Sequence, residues 1–262
     1  ELSGEPFSQV KYYIPYAQEG RARQSTYLGK NEQEEYETQG ILKRFKYTYA
    51  EDKESIEMLF SDIDDPQQTM DAIINKIIDG TDSDFQGLST WEAFRGKVDE
   101  FSQKSQKDDK KKSNEISVLS WRKFKRIINK AIRNDDMFAN RVAESKGECR
   151  LTDEIRGIQK NDVYVIDIAK LSEDKQAFVF GDAIRAIYNL KLGEYDDILG
   201  NAKPPTRIVV FIDELNKYAS KDTPKSSAIL REILDVTERG RSLGVVLFGA
   251  GQFRSNIYPY MS

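Results

Sequence analysis

The sequence predicts an α/β fold with a mostly parallel sheet flanked by helices. In the last third of the chain, strand-like and helix-like segments alternate at intervals that suit crossover helices between parallel strands. Two of the strand segments are continuous apolar runs rich in β-branched residues, which are typical of strands buried on both faces of a parallel sheet. The predicted order is strand 163–168, helix 173–190, strand 208–212, helix 225–238 and strand 245–249.

Residues 1–50 are interpreted as the N-terminal part of the same α/β core. A short apolar strand, 10–14, stops at Pro15, because proline cannot donate a hydrogen bond to a neighbouring strand. The polar, charged stretch 18–39 separates it from a second strand-like segment, 45–49.

Residues 51–150 predict a helical insertion subdomain, and residues 151–262 complete the core. Apolar residues recur at helical spacing in four segments. These stripes are Ile56, Leu59 and Phe60; Met70, Ile73, Ile74, Ile77 and Ile78; Trp91, Phe94, Val98 and Phe101; and Trp121, Phe124, Ile127, Ile128 and Ala131. The stripe that begins at Trp91 is interpreted as bundle core rather than as a base-stacking platform, because helical spacing explains it fully.

Two adjacent carboxylates, Asp213 and Glu214, directly follow the strand 208–212. Open α/β sheets bind ligands at the carboxyl ends of their strands. In P-loop NTPases the first acid of such a pair holds the Mg²⁺ shell, and the second orients the attacking water. The alternative is that the acids only cap the helix that follows.

A second polar group lies one strand–helix–strand unit further along. Arg239 and Arg241 lie at the end of the predicted helix, and Gln252 follows the next strand in the segment G-A-G-Q. Acids, arginines and a strand-end glutamine at this spacing suggest nucleotide hydrolysis coupled to a neighbouring subunit. The alternative for the arginines is a favourable interaction with the dipole of the helix. Asp167, at the end of the strand 163–168, is interpreted as a turn or cap residue.

These residues resemble the HerA-like branch of the HerA/FtsK superfamily of hexameric DNA-translocating ATPases. The resemblance is carried by F-I-D-E-L-N-K-Y-A (211–219), E-R-G-R-S-L-G (238–244) and G-A-G-Q (249–252), and it extends to 163–184 and 6–16. It implies a RecA-like P-loop NTPase core that binds ATP and Mg²⁺ between the subunits of a ring, most commonly a hexamer. It also implies duplex DNA in the pore, and a nuclease is a common partner of such rings.

The resemblance implies a role for each candidate residue. Asp213 would hold the Mg²⁺ shell through water, and Glu214 would polarise the attacking water. Arg241 would reach the γ-phosphate of the neighbouring subunit, because it lies three residues before the glycine that opens the next strand, as the family's finger arginine does. Arg239 is the second choice for this role. Gln252 would sense the γ-phosphate from the end of the adjacent strand.

One part of the family pattern is missing. The Walker A pattern G-x-x-x-x-G-K-[ST] does not occur in the 262 residues; the nearest candidate, Gly29-Lys30, has Gln24 and Asn31 at the other two positions. We therefore expect a fragment trimmed at both ends, with a central sheet position left to be filled. The alternative function is a non-hydrolysing assembly or regulatory module that keeps the fold and the ring contacts. Retention of the acid, the arginine and the glutamine together argues against it.

The composition fits a cytoplasmic globular protein. The formal net charge is −4, so any DNA contact has to come from local basic patches. Histidine is absent, which excludes zinc and acid–base sites built on imidazole. The single cysteine, Cys149, excludes an intrachain disulfide and fits a reducing compartment. No apolar run approaches the ~20 residues of a membrane helix, so we expect no membrane contact.

Two basic segments are candidates for contact with phosphate. The lysine-rich segment 104–112 contains interleaved aspartates, which favours a solvated loop. The segment 121–133 is denser, and on a helix most of its basic side chains fall opposite the apolar stripe. They are Arg122, Lys123, Lys125, Arg126, Lys130 and Arg133. An exposed polar face is the commoner meaning of this pattern, and DNA contact is the alternative.

Overall fold

The computed structural model describes residues 7, 9–18, 25–65, 67–78, 84–103, 116–194, 203–251 and 258. The described strands are β1 Gln9–Pro15, β2 Leu42–Phe45, β3 Tyr47–Thr48, β4 Phe138–Ala139, β5 Glu148–Cys149, β6 Asp162–Ile166, β7 Ile208–Ile212 and β8 Val245–Gly249. The described helices are α1 Lys30–Thr38, α2 Tyr49–Asp52, α3 Thr69–Ile78, α4 Trp91–Gln103, α5 Val118–Ile132, α6 Leu151–Arg156, α7 Glu173–Leu192 and α8 Ala228–Leu243. Short 3-10 helices lie at Lys53–Phe60, Glu144–Lys146 and Leu215–Lys217.

The predicted α/β fold with a parallel sheet is confirmed. The central sheet has four strands in the order β5-β2-β1-β6, and β3-β4 and β7-β8 form two further pairs. All of these described pairs are parallel. The alternation β6-α7-β7-α8-β8 follows the predicted order. None of the described helices is long and apolar enough to cross a membrane.

Several predicted boundaries are wrong for local reasons. The helix α1 was missed inside the polar stretch 18–39, because its residues are almost all charged or polar and show no apolar stripe. The segment predicted as one strand, 45–49, is divided, since β2 ends at Phe45 and Tyr49 opens α2. The helix predicted to end at 238 continues to Leu243, with Gly240 inside it. A Cβ at Gly240 would lie 2.8 Å from the Val245 carbonyl oxygen, so the missing side chain lets α8 pack closely on β8.

The stripe that begins at Trp91 is core, as predicted, and the other three stripes pack in the same hydrophobic cluster, with Ile78 and Ile127 partly buried. Trp91, Phe94, Val98 and Phe101 are all at most 7% exposed, and burying a side chain of this kind contributes roughly 1.5–3 kcal/mol. Aromatic pairs join the helices of this region; Phe101 stacks on Trp121, for example, with ring centroids 4.6 Å apart. The same hydrophobic cluster includes residues from all three predicted regions of the chain.

One face of the β7-β8 pair is open, which corrects the prediction that these strands are buried on both faces. The inner face packs against α7 and α8. On the outer face Val209, Phe211, Val246 and Phe248 are 48%, 79%, 39% and 54% exposed. The two phenylalanine rings stack on each other, with centroids 5.3 Å apart. No element among the described residues covers this face. The edge of β8 that points away from β7 is also unpaired, because β7 is the only described strand that pairs with β8. Parallel sheets are normally covered on both faces.

A buried polar network ties the helical region to α7. The Asp182 carboxylate of α7 accepts hydrogen bonds from the hydroxyls of Ser55 (2.6 Å) and Thr152 (3.1 Å). Asp52, 3% exposed, accepts a hydrogen bond from Arg150 Nη2 at 2.7 Å. Burial raises the pKa of Asp52 to about 6, although the Arg150 hydrogen bond acts in the opposite direction. Burial likewise raises the pKa of Asp182, against the hydrogen bonds from Ser55 and Thr152.

We expect this network to make stability depend on pH. The folded protein binds these protons more tightly than the unfolded chain does, so the contribution is fully present below pH 3.8 and is lost as the pH rises through about 6. For Asp52, the rise in pKa from 3.8 to about 6 corresponds to roughly 3 kcal/mol in the free energy of unfolding. Urea unfolding at pH 4.5 and pH 7.5 should therefore show that the wild type loses stability relative to Asp52→Asn as the pH rises. Asp153→Asn, which removes a more exposed partner of Arg150, is the control. An Asp52→Asn difference that is the same at both pH values would contradict the expectation.

Candidate functional site

The two predicted acids lie at the carboxyl edge of the β7-β8 pair. Both Asp213 and Glu214 are exposed in the turn that follows β7. This turn is tied to the end of β8, because the Ala250 amide donates to the Ile212 carbonyl and the Leu215 amide donates to the Ala250 carbonyl, both at 2.8 Å. The predicted placement of the acids at the end of a parallel strand is confirmed.

Glu214 has an unusual backbone conformation. Its φ of 54° and ψ of 46° are left-handed, which costs a residue with a side chain on the order of 1–2 kcal/mol. The 3-10 helix that follows has three residues, and the Glu214 side chain makes no capping hydrogen bond to it. The carboxylate pairs instead with Lys217. The capping alternative is therefore wrong for Glu214. Strained backbone of this kind concentrates at functional sites.

Close packing at the end of β8 fixes the position of the turn. A Cβ at Gly249 would lie 2.3 Å from Leu215 Cδ2 and 2.9 Å from Leu215 Cβ. Leu215 is 6% exposed. The first glycine of the segment G-A-G-Q thus makes room for the residue next to Glu214. This packing role of Gly249 was not predicted from the sequence, although a glycine at a strand end often marks a place where another segment approaches the backbone closely.

The predicted arginines lie at the opposite edge of the same pair of strands. The helix α8 runs antiparallel to the strands and ends at Gly244, which has a φ of 75°. The Gly244 carbonyl accepts a hydrogen bond from the Ile208 amide at the start of β7 (2.9 Å). Arg239 and Arg241 therefore lie at the amino edge. Five strand residues at ~3.3 Å each separate the two edges by about 16 Å. One chain does not bring these arginines to Glu214.

The two arginines have different surroundings. Arg239 Nη1 donates to the Tyr188 hydroxyl of α7 at 3.3 Å. Arg241 is exposed in the last turn of α8, and its side chain makes no hydrogen bond or ion pair with the part of the chain that the structure describes. Its position also satisfies the helix-dipole alternative. Arg241 lines a groove of about 430 Å³ beside β8, together with Arg207 and Gly240. Arg207 was not predicted as a site residue. The feature that could have indicated it is a basic residue directly before the strand 208–212.

The remaining candidates have separate outcomes. Gln252 and the segment 104–112 lie outside the described residues. Gly29-Lys30 forms the start of α1, where the Gly29 amide donates to Glu32 Oε2 at 2.7 Å. Asp167 is a turn residue, as predicted, since its Oδ1 accepts a hydrogen bond from the Ala169 amide at 3.1 Å.

Comparison of the chain with protein-family models and with curated proteins gives no match in either case. Among the described residues there is no group of three or more histidine, cysteine or acidic side chains placed to hold a metal ion. The assignment to a family therefore stays a prediction that rests on the motifs.

Proposed function

We propose that the protein is an ATP-dependent DNA translocase or helicase motor of HerA type, which hydrolyses ATP between the subunits of a ring, most simply a hexamer. One observation carries the proposal: the acids and the arginines occupy opposite edges of a single strand pair. A site that uses both groups has to combine the carboxyl edge of one copy with the amino edge of the next. Such a head-to-tail interface closes into a ring when the rotation between copies allows it.

The carboxyl edge has the groups that ATP hydrolysis needs from this side of the interface. Asp213 is exposed and has no partner among the described residues, and carboxylate oxygen is the ligand that Mg²⁺ prefers. Mg²⁺ would supply neutralisation of the phosphate charge. Glu214, held in its strained turn, would accept the proton of the attacking water.

The amino edge supplies the positive charge. Arg241 is exposed and unpaired among the described residues, so its guanidinium is free to contact a neighbouring copy. Arg239 is the second candidate, but contact with a neighbour would compete with its hydrogen bond to Tyr188. Arg207 lines the same groove as Arg241 and would add to the positive potential there.

The open face and edge of the β7-β8 pair support a RecA-like core. A phosphate-binding strand-loop-helix unit would add its strand to the free edge of β8 and lay its helix on the outer face that includes Phe211 and Phe248. Parallel sheets normally have such cover on the second face. The unit would also bring the phosphate-cradling loop that the 262 residues lack in the Walker A form. Duplex DNA, a nuclease partner and a cytoplasmic location complete the proposal and rest on the resemblance.

The alternative is a non-hydrolysing assembly or regulatory module. The same open edge favours it, because an unpaired strand edge is a docking site for another chain. The two functions differ in turnover. A motor, once the chain is combined with a phosphate-binding segment, should hydrolyse ATP, and duplex DNA should stimulate the rate. Rings that assemble but show no turnover, with or without DNA, would favour the assembly module.

We expect the 262 residues alone to bind ATP weakly or not at all. Backbone amides of a phosphate loop and its lysine supply much of the affinity for the triphosphate, and the pattern that provides them is absent from the sequence. Titration calorimetry with Mg²⁺ and ATP on this chain should give no measurable heat at micromolar concentrations. Micromolar affinity would show that these residues contain a phosphate site of another kind.

A further inference from the structure

We propose that the outer face of α5 binds the phosphate backbone of duplex DNA. The inference rests on the proposed function, because it assigns the surface through which the motor holds its track. The helix has an unbalanced charge. Between Val118 and Ile132 there are five lysines and arginines and no acidic residue, in a chain that has 44 acidic and 40 basic residues in total.

The two arginines of α5 and its C-cap residue, Arg133, form one stripe. At 100° per residue, Arg126 and Arg133 lie about 40° and 20° around the helix axis from Arg122. The buried residues Trp121, Phe124 and Ile128 lie on the other side. The stripe is about 16 Å long, from eleven residues at a rise of 1.5 Å. It therefore points away from the core along its whole length.

The stripe differs from its flanks in how its charges are paired. Lys125 pairs with Asp99 and Lys130 pairs with Asp174 (3.1 Å), so two of the three lysines of α5 have acidic partners. Arg126 and Arg133 are exposed and have no hydrogen bond or ion pair from their side chains to the described residues. Arg122 donates from Nε to the Ser102 carbonyl at 3.1 Å, which leaves its other guanidinium nitrogens available.

A row of exposed guanidinium groups on one side of a helix suits a repeating anion. Each guanidinium offers a planar set of donors that matches the oxygens of one phosphate. A duplex presents phosphates at short, regular intervals along both strands. Contacts of this kind position the protein on DNA without reading its sequence, as a translocating motor requires. An ordinary solvated helix face would mix acidic with basic residues, which α5 does not do.

The test is the salt dependence of duplex binding by the natural protein. Anisotropy of a fluorescein-labelled 20-base-pair duplex of mixed sequence is measured between 50 and 200 mM NaCl, without nucleotide. Each phosphate contact contributes about 0.9 to the slope of log K against log salt. The variant Arg126→Ala/Arg133→Ala should therefore lower the slope by about 1.8, and Arg126→Lys/Arg133→Lys should keep it. The charge-matched control is Lys146→Ala/Lys225→Ala, which removes two exposed cations outside α5.

The outcomes separate this surface from the ATPase site. Both α5 variants should melt like the wild type and keep their DNA-independent ATP turnover, because the altered side chains are exposed. The proposal is overturned if the slope does not change in Arg126→Ala/Arg133→Ala, or if it falls equally in the control Lys146→Ala/Lys225→Ala. It is also overturned if the protein binds acidic lipid vesicles but not the duplex. If the slope falls as expected but the wild-type protein shows no ATP turnover with or without duplex, the surface stands and the ATPase function fails.

Discussion

Replacing Glu214 by glutamine is expected to lower ATP turnover by about 10² or more while ATP still binds. Glutamine has the size of glutamate and keeps its hydrogen-bonding oxygen, but it cannot accept the proton of the attacking water. A general base typically contributes 10²–10⁴ in rate. The measurement compares steady-state hydrolysis and nucleotide affinity in the natural protein, so that loss of chemistry is distinguished from loss of binding.

The control is Glu92→Gln, an exposed carboxylate on α4, outside the β7-β8 pair and α8. It changes the same chemical group and should leave turnover unchanged. Thermal unfolding of Glu214→Gln should also resemble that of the wild type, since the side chain contributes one exposed pair with Lys217 and such pairs are worth little. Near-normal turnover in Glu214→Gln would remove the catalytic role from this residue.

The sequence predicted the strands and helices of the last third of the chain because their signals are local. An apolar run such as 208–212 and a stripe such as Trp91 to Phe101 follow from periodicity and need no knowledge of neighbours. The exposure of Phe211 could not be predicted in this way. A run of apolar residues indicates that a strand can be covered on both faces. Whether a covering element is present depends on the tertiary structure.

The positions of the candidate site residues in the fold could be predicted only in part from the sequence. A pair of acids after a buried strand identifies a carboxyl edge, and a helix that joins parallel strands has to end at the opposite edge. The separation of Glu214 from Arg241 therefore follows from topology. Topology does not predict the left-handed conformation of Glu214, the hydrogen bond that holds Arg239, or the contribution of Arg207 to the groove. Each depends on contacts between segments that are distant in sequence.

Replacing Arg241 by alanine is expected to lower turnover by ~10³ or more without loss of ATP binding or of folding. A finger arginine has an effect of this size because it meets charge that develops only in the transition state. If Arg241 only stabilises the end of α8, the loss should be about 0.3–1 kcal/mol of stability with little change in activity. Arg241→Lys separates the two roles, because lysine keeps the charge at the helix end but loses the planar set of donors. Low activity in Arg241→Lys at wild-type stability would support the finger role.

The decisive measurement mixes subunits that carry Arg241→Ala with subunits that carry Glu214→Gln. Because the arginine and the acid lie at opposite edges of one chain, about 16 Å apart along the strands, each active site would draw them from different subunits. At some interfaces of a mixed ring, an intact Glu214 then faces an intact Arg241, and activity should partly recover. Rings that contain only one of the two variants are the control, and they should show no recovery of activity. If rings form and exchange subunits but no ratio restores turnover, Arg241 does not act across the interface, and Arg239→Ala becomes the variant to mix in its place.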